Sequence, residues 1–89
     1  MGNLVWGFDY EIRETNKCIV KAKQLIDEGN CCDAIGELYR AEHFHLVRAQ
    51  NQADPNCPHQ TLILQIYRKD IQTLIRRLGW FWRILKNVL

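Results

Sequence analysis

Long apolar runs are missing from this chain of 89 residues. None approaches the roughly 18 to 20 uninterrupted apolar residues that a membrane-spanning helix needs. The opening residues also lack the basic-then-apolar order of a secretory signal, so the expected setting is intracellular, with the cytoplasm as the compartment. Met1 and Gly2 offer a glycine for myristoylation, although Trp6 stands where that signal expects Ser or Thr. Alternating β-branched residues are scarce, which argues against strands. There is no acid pair, glycine-rich phosphate loop or serine motif, so the chain reads as a protein that is not an enzyme.

What is present fits one small domain spanning residues 1–89, because this length closes a single hydrophobic core. Hydrophobic residues make up 47% and charged residues 25%, ordinary values for a folded protein. A chain of this size buries only roughly 60 to 65% of its unfolded surface, which favours a component of an assembly. Cys18, Cys31 and Cys32 fall in or beside helical segments, and with Cys57 they read as reduced thiols.

Apolar residues recur every three or four positions, which predicts three helices. The first runs from about Asp9 to Glu28, burying Ile12, Ile19, Ala22 and Ile26, with Glu11, Arg13, Lys17, Lys21 and Lys23 mostly elsewhere. Gly29 ends it in the left-handed conformation, and Asn30 or Asp33 caps the next helix. The second runs from about Cys32 to Asn51 and buries Ala34, Ile35, Leu38, Ala41 and either His45 or Val47. Ala34 and Ala41 let the first helix approach closely. The segment Ala53 to Pro58 is a loop, with Pro58 near the first turn of a third helix from about His59 to Asn87. Its stripe is Ile63, Tyr67, Leu74, Leu78, Phe81, Leu85 and Val88. The expected fold is all-α, a three-helix antiparallel bundle with an extended third helix.

Charge is divided unevenly. Residues 1–59 hold six Lys or Arg against nine Asp or Glu, a net of −3, and residues 60–89 hold six against one, a net of +5. Lys69, Arg76 and Arg83 recur every seven positions and share a face, flanked by Arg68, Arg77 and Lys86. Such a face is a solvated surface or a site for an anionic partner, whether acidic peptide, nucleic acid or membrane surface. The tail from Gly79 to Leu85 is apolar almost all round. It is an aromatic mini-core or a contact made by Trp80, Phe81, Trp82 and Leu85, with a homodimer as the preferred function.

His43, His45, Cys57 and His59 gather metal-ligating types in a short span. Two positions apart on a helix diverge by about 200°, so His43 and His45 do not chelate one ion, and neither metal nor cofactor is expected. The expected arrangement is a solvent-facing His43, a half-buried His45 and a core Cys18. Cys57 and His59 lie in a proline-rich loop that offers no rigid frame for nucleophilic catalysis.

Ala22, Leu25, Gly29, Ala34, Leu38 and Ala41 fall at the spacing of a tetratricopeptide-type helical hairpin, which the segment resembles. The stretch Asp33-Ala34-Ile35-Gly36-Glu37-Leu38-Tyr39-Arg40-Ala41, followed by one long helix, is similar to the three-helix MIT domain of microtubule-interaction and endosomal-trafficking proteins. That resemblance implies grooves flanking helix three that accept amphipathic segments, with Arg68, Lys69 and Arg76 pairing with acidic residues. Tyr39, His43-Phe44-His45 and Cys57-Pro58-His59 also resemble a stretch of plant geminivirus precoat proteins, which suppress RNA silencing. The expected function is a protein-interaction module that self-associates through its tail and binds partners through Arg68, Lys69, Arg76, Arg77 and Arg83. The alternative is an RNA-binding protein using the same basic face.

Overall fold

Phe8, Glu11, Thr15, Cys18, Ile19 and Ala22 follow one another at helical spacing, and together they form the buried stripe of the first helix. The computed structural model describes the backbone of residues 7–88 and the side chains of residues 7–79. It contains α1 (Phe8–Asp27), α2 (Cys31–Arg40), a π-helical turn (Ala41–His45), α3 (Leu46–Gln52) and α4 (Pro58–Val88). Because α2, the π turn and α3 run on without a break, the chain makes three helical rods. It is an all-α bundle, without strands among the described residues.

The turn between the first two rods follows from one glycine. Gly29 has φ of 79°, where a side chain would crowd the backbone. That conformation lets Gly29 N–H donate to the Ile26 carbonyl at 3.0 Å and Asn30 N–H to the Leu25 carbonyl at 2.8 Å, so the last carbonyls of α1 are satisfied. Of Asn30 and Asp33, the residues expected to cap α2, Asn30 stands at the cap position without a side-chain cap hydrogen bond. Its Nδ2 donates to Asp33 Oδ2 at 2.8 Å instead.

The second rod departs from the expected register at its centre. Its buried residues are Ala34, Leu38, Ala41, Leu46 and Ala49, a stripe with one step of five. The π turn absorbs that step. Leu46 N–H donates to the Ala41 carbonyl, five residues back, and the extra residue rotates everything downstream. A regular helix would have continued the stripe through His45 and Arg48 and turned Leu46 and Ala49 away. Burial of Leu46 therefore decides the register. Val47 is exposed, Ile35 lies at the rim, and His45 is half-buried.

The four alanines Ala22, Ala34, Ala41 and Ala49 are fully buried, so the first two rods meet at small side chains. Leu64, Ile71, Leu74 and Leu78 of α4 close the core. Ile63 and Tyr67, expected along that stripe, are only partly buried beside it, because the helix is rolled toward Leu64 and Ile71. The preceding loop is held by its own polar groups. Asn56 N–H donates to Asp54 Oδ1 at 2.9 Å, and Asp54 N–H to Gln60 Oε1 at 2.7 Å. Pro58 then occupies the first position of α4, where an N–H would find no helical partner.

At 1.5 Å per residue the 31 residues of α4 extend about 46 Å, against about 30 Å for the 20 of α1. The longest dimension of the molecule is 52 Å. The ten residues after Leu78 thus carry α4 past the hairpin. No helix among the described residues is long and apolar enough to cross a membrane.

Candidate functional site

Two surfaces stand out, one on α4 and one around the π turn. On α4, Leu62, Ile66, Lys69, Thr73 and Arg76 succeed one another at steps of four and three, which places them on one face, opposite the core. Leu62 and Ile66 are 53% and 59% exposed, and Lys69, Arg76 and Arg77 are exposed as well. The face is therefore apolar toward its start and basic toward its end.

Not every residue of the expected basic group joins it. Arg68 is half-buried, and its Nη2 donates to Gln50 Oε1 at 2.8 Å, which turns it toward α3. Asp70, the one acid of α4, stands 4.0 Å from Lys23 Nζ of α1. The structure thus brings Lys69, Arg76 and Arg77 to solvent and assigns Arg68 to packing between rods. The side chains of Trp80, Phe81, Trp82, Arg83 and Leu85 lie outside the described residues.

Around the π turn the organising group is Glu11, whose carboxylate is 1% exposed. It accepts from His45 Nδ1 at 2.9 Å and from Arg48 Nε at 2.7 Å, so both oxygens are engaged. Thr15 Oγ1 donates to the Glu11 carbonyl at 2.8 Å, which satisfies the one buried hydroxyl of α1 within its own helix. The guanidinium of Arg48 also lies 5.1 Å from the centre of the Phe44 ring, a cation–π contact on the outer surface. Phe44 meets His45 edge-on at 4.9 Å, and Tyr39 lies 4.2 Å from His43.

This cluster is closed off from solvent: the Glu11 side chain is 1% exposed, and each of its oxygens is engaged by a side chain of the second rod. What it does is fasten α1 to the second rod at the π turn and hold Phe44 and Arg48 in place at the surface. His43 faces solvent, with Nε2 3.2 Å from Glu42 Oε1, and no three His, Cys, Asp or Glu side chains converge on a common point among the described residues.

Cys18 is buried and Cys32 exposed, with Cys31 and Cys57 between, and all four are free thiols. Burial pushes the Cys18 thiol pKa up, and the carboxylate of Glu37 adds to that shift, while Arg40 opposes it.

Sequence reasoning missed Glu11 and Arg48 as a pair and Leu62 and Ile66 as surface residues. A signal for Glu11 was present, since it falls in line with Phe8, Thr15, Cys18 and Ala22 at core spacing. Arg48 gave none, because a charged residue on a helix reads as part of a solvated face. In comparisons with protein-family models, characterised proteins and solved structures, the chain matches none.

Proposed function

We propose that this chain is a non-enzymatic protein-interaction module whose α4 outer face receives an amphipathic, acidic helical segment of another protein. The observation that carries the reading is the uncovered row Leu62, Ile66, Lys69, Thr73 and Arg76, with two large aliphatic side chains more than half exposed. Leu and Ile side chains on a rigid helix lose little entropy on docking and release water from apolar area, so they supply affinity. Lys69, Arg76 and Arg77 select the sign of the partner and its direction along the helix. Two copies of this face would oppose cation to cation, so it favours a different chain over itself.

A titration with a synthetic helix bearing leucines at steps of four and three, flanked by glutamates, tests the proposal. Binding that is lost on Ile66→Glu and on Arg76→Glu is the expected result. Duplex RNA is the contrasting probe. Retardation of RNA that weakens steeply with salt, together with no binding of the peptide, would assign the face to phosphates instead.

A further inference from the structure

Leu64, Ile71, Leu74 and Leu78 mark the face of α4 that is buried against the other two rods. The same register continues through Phe81, Trp82, Leu85 and Val88, at steps of three and four from Leu78, and the backbone stays helical to Val88. The rods that would cover it do not continue with it. Lys23 of α1 stands beside Asp70 of α4, which sets the level of the two helices, so Asp27, the last residue of α1, comes level with Leu74. Residues 79–88 therefore leave the hairpin with the apolar register unbroken.

The charges around this register are of one sign. Residues 71–89 contain Arg76, Arg77, Arg83 and Lys86 and no Asp or Glu. At 100° per residue Arg76 and Arg83 fall opposite the apolar positions, and Arg77 and Lys86 fall at their two borders. Asp27, Glu28 and Asp33 stand at the hairpin end, but Arg83 and Lys86 lie about 14 and 18 Å farther along α4 than Leu74, past the roughly 8 Å over which such charges are screened. We infer that the end of α4, from Leu78 to Val88, is an interfacial helix that lies flat on an anionic lipid bilayer, with its apolar positions toward the acyl chains and its cations among the headgroups. Ten residues extend about 15 Å, half the roughly 30 Å of a hydrocarbon core, so the helix rests on the bilayer and does not cross it. Trp80 and Trp82 supply two of those ten residues, and the amphipathic indole favours the headgroup level. A second copy is the poorer occupant, because two such tails set border cations against border cations with no acid between them. The row from Leu62 to Arg76 lies on another side of α4, so this contact does not depend on the peptide reading and is tested without it.

Flotation of the full chain with vesicles of about one quarter phosphatidylserine in phosphatidylcholine, and with phosphatidylcholine alone, gives the test. The wild-type chain should partition onto the anionic vesicles roughly tenfold or more above the neutral ones, with its tryptophan emission shifted to shorter wavelength. Phe81→Ser combined with Leu85→Ser leaves the charge unchanged and lies beyond the hairpin. Circular dichroism should report an intact fold in that variant, while partition falls by roughly tenfold or more. Arg83→Gln combined with Lys86→Gln alters no apolar residue and should lower partition onto the anionic vesicles alone. Absence of wild-type chain from the anionic vesicles would overturn the proposal. So would unchanged partition in either double variant, the first of which would reduce the contact to attraction between charges. A dimer in sedimentation that is lost on Phe81→Ser with Leu85→Ser, with no vesicle binding by wild type, would assign the tail to a second copy instead.

Discussion

Glu11 and His45 stand 34 positions apart in sequence and 2.9 Å apart in space, joining the first turn of α1 to the π turn of the second rod. With Arg48 on its other oxygen, Glu11 is a buried anion whose partners reach it from the adjacent rod, one of them near the surface. Removing a buried charged group's hydrogen-bond partner costs more than the net value of the bond, since the orphaned group must find water.

Arg48→Ala leaves the Glu11 carboxylate buried with only His45 as partner, and should therefore lower unfolding free energy by about 2 to 3 kcal/mol in urea denaturation. Glu11→Ala removes the buried charge itself and leaves Arg48 with solvent, so it should cost less, about 1 to 2 kcal/mol. A smaller loss for Arg48→Ala than for Glu11→Ala would show that the carboxylate does not depend on its partner.

The π turn makes an unusual prediction about chain length. Deleting His43 should convert the turn to regular α-helix and leave Ala34, Leu38, Ala41, Leu46 and Ala49 on one stripe. The variant should fold, with helical circular dichroism close to wild type. Deleting Asn16 from α1 instead rotates Phe8 and Glu11 by about 100° relative to Cys18 and Ala22. That variant should not fold cooperatively. If both deletions behave alike, the register account of the π turn is wrong.

Two glycines should respond to alanine with opposite sign. Gly29→Ala places a Cβ at φ of 79° and should destabilise the chain by about 1 to 2 kcal/mol. Gly36→Ala fills open space in a regular helix and should stabilise it by about 0.5 to 1 kcal/mol under conditions where the chain is monomeric. Thermal denaturation of the two variants side by side checks the pair.

Burial gives Cys18 a raised pKa, so its thiol stays protonated in the folded chain at pH values where the unfolded chain ionises it. Its contribution to stability is full below the unfolded value of 9.0 and is lost as pH rises through the higher folded value. Urea midpoints should fall above that pH more steeply in wild type than in Cys18→Ala. Alkylation followed by mass spectrometry should label Cys32 first and Cys18 last.

Much of the scaffold was legible before any coordinates. Gly29 required a left-handed turn, Pro58 suited only a first helical position, and the alanines at 22, 34 and 41 marked the closest helix contact. The second rod was not legible beyond Ala41, because hydrophobic spacing is read at a constant period and the π turn breaks it. That break hid the burial of Leu46 and Ala49. On α4 the basic residues drew attention away from Leu62 and Ile66, which read as ordinary apolar positions until the roll of the helix toward Leu64 and Ile71 exposed them. Arg68 looked like its neighbours Lys69 and Arg76, and only the position of Gln50 on α3 separates it from them.

The most direct measurement of the proposed role is an isothermal titration of the full chain with the acidic leucine-bearing helix, repeated with Ile66→Glu, Arg76→Glu and Arg68→Ala. The expected result is saturable binding to wild type, weakened by roughly tenfold or more in the first two variants and little changed in the third. Absence of binding to the wild-type chain, or equal binding by wild type and Ile66→Glu, would contradict it.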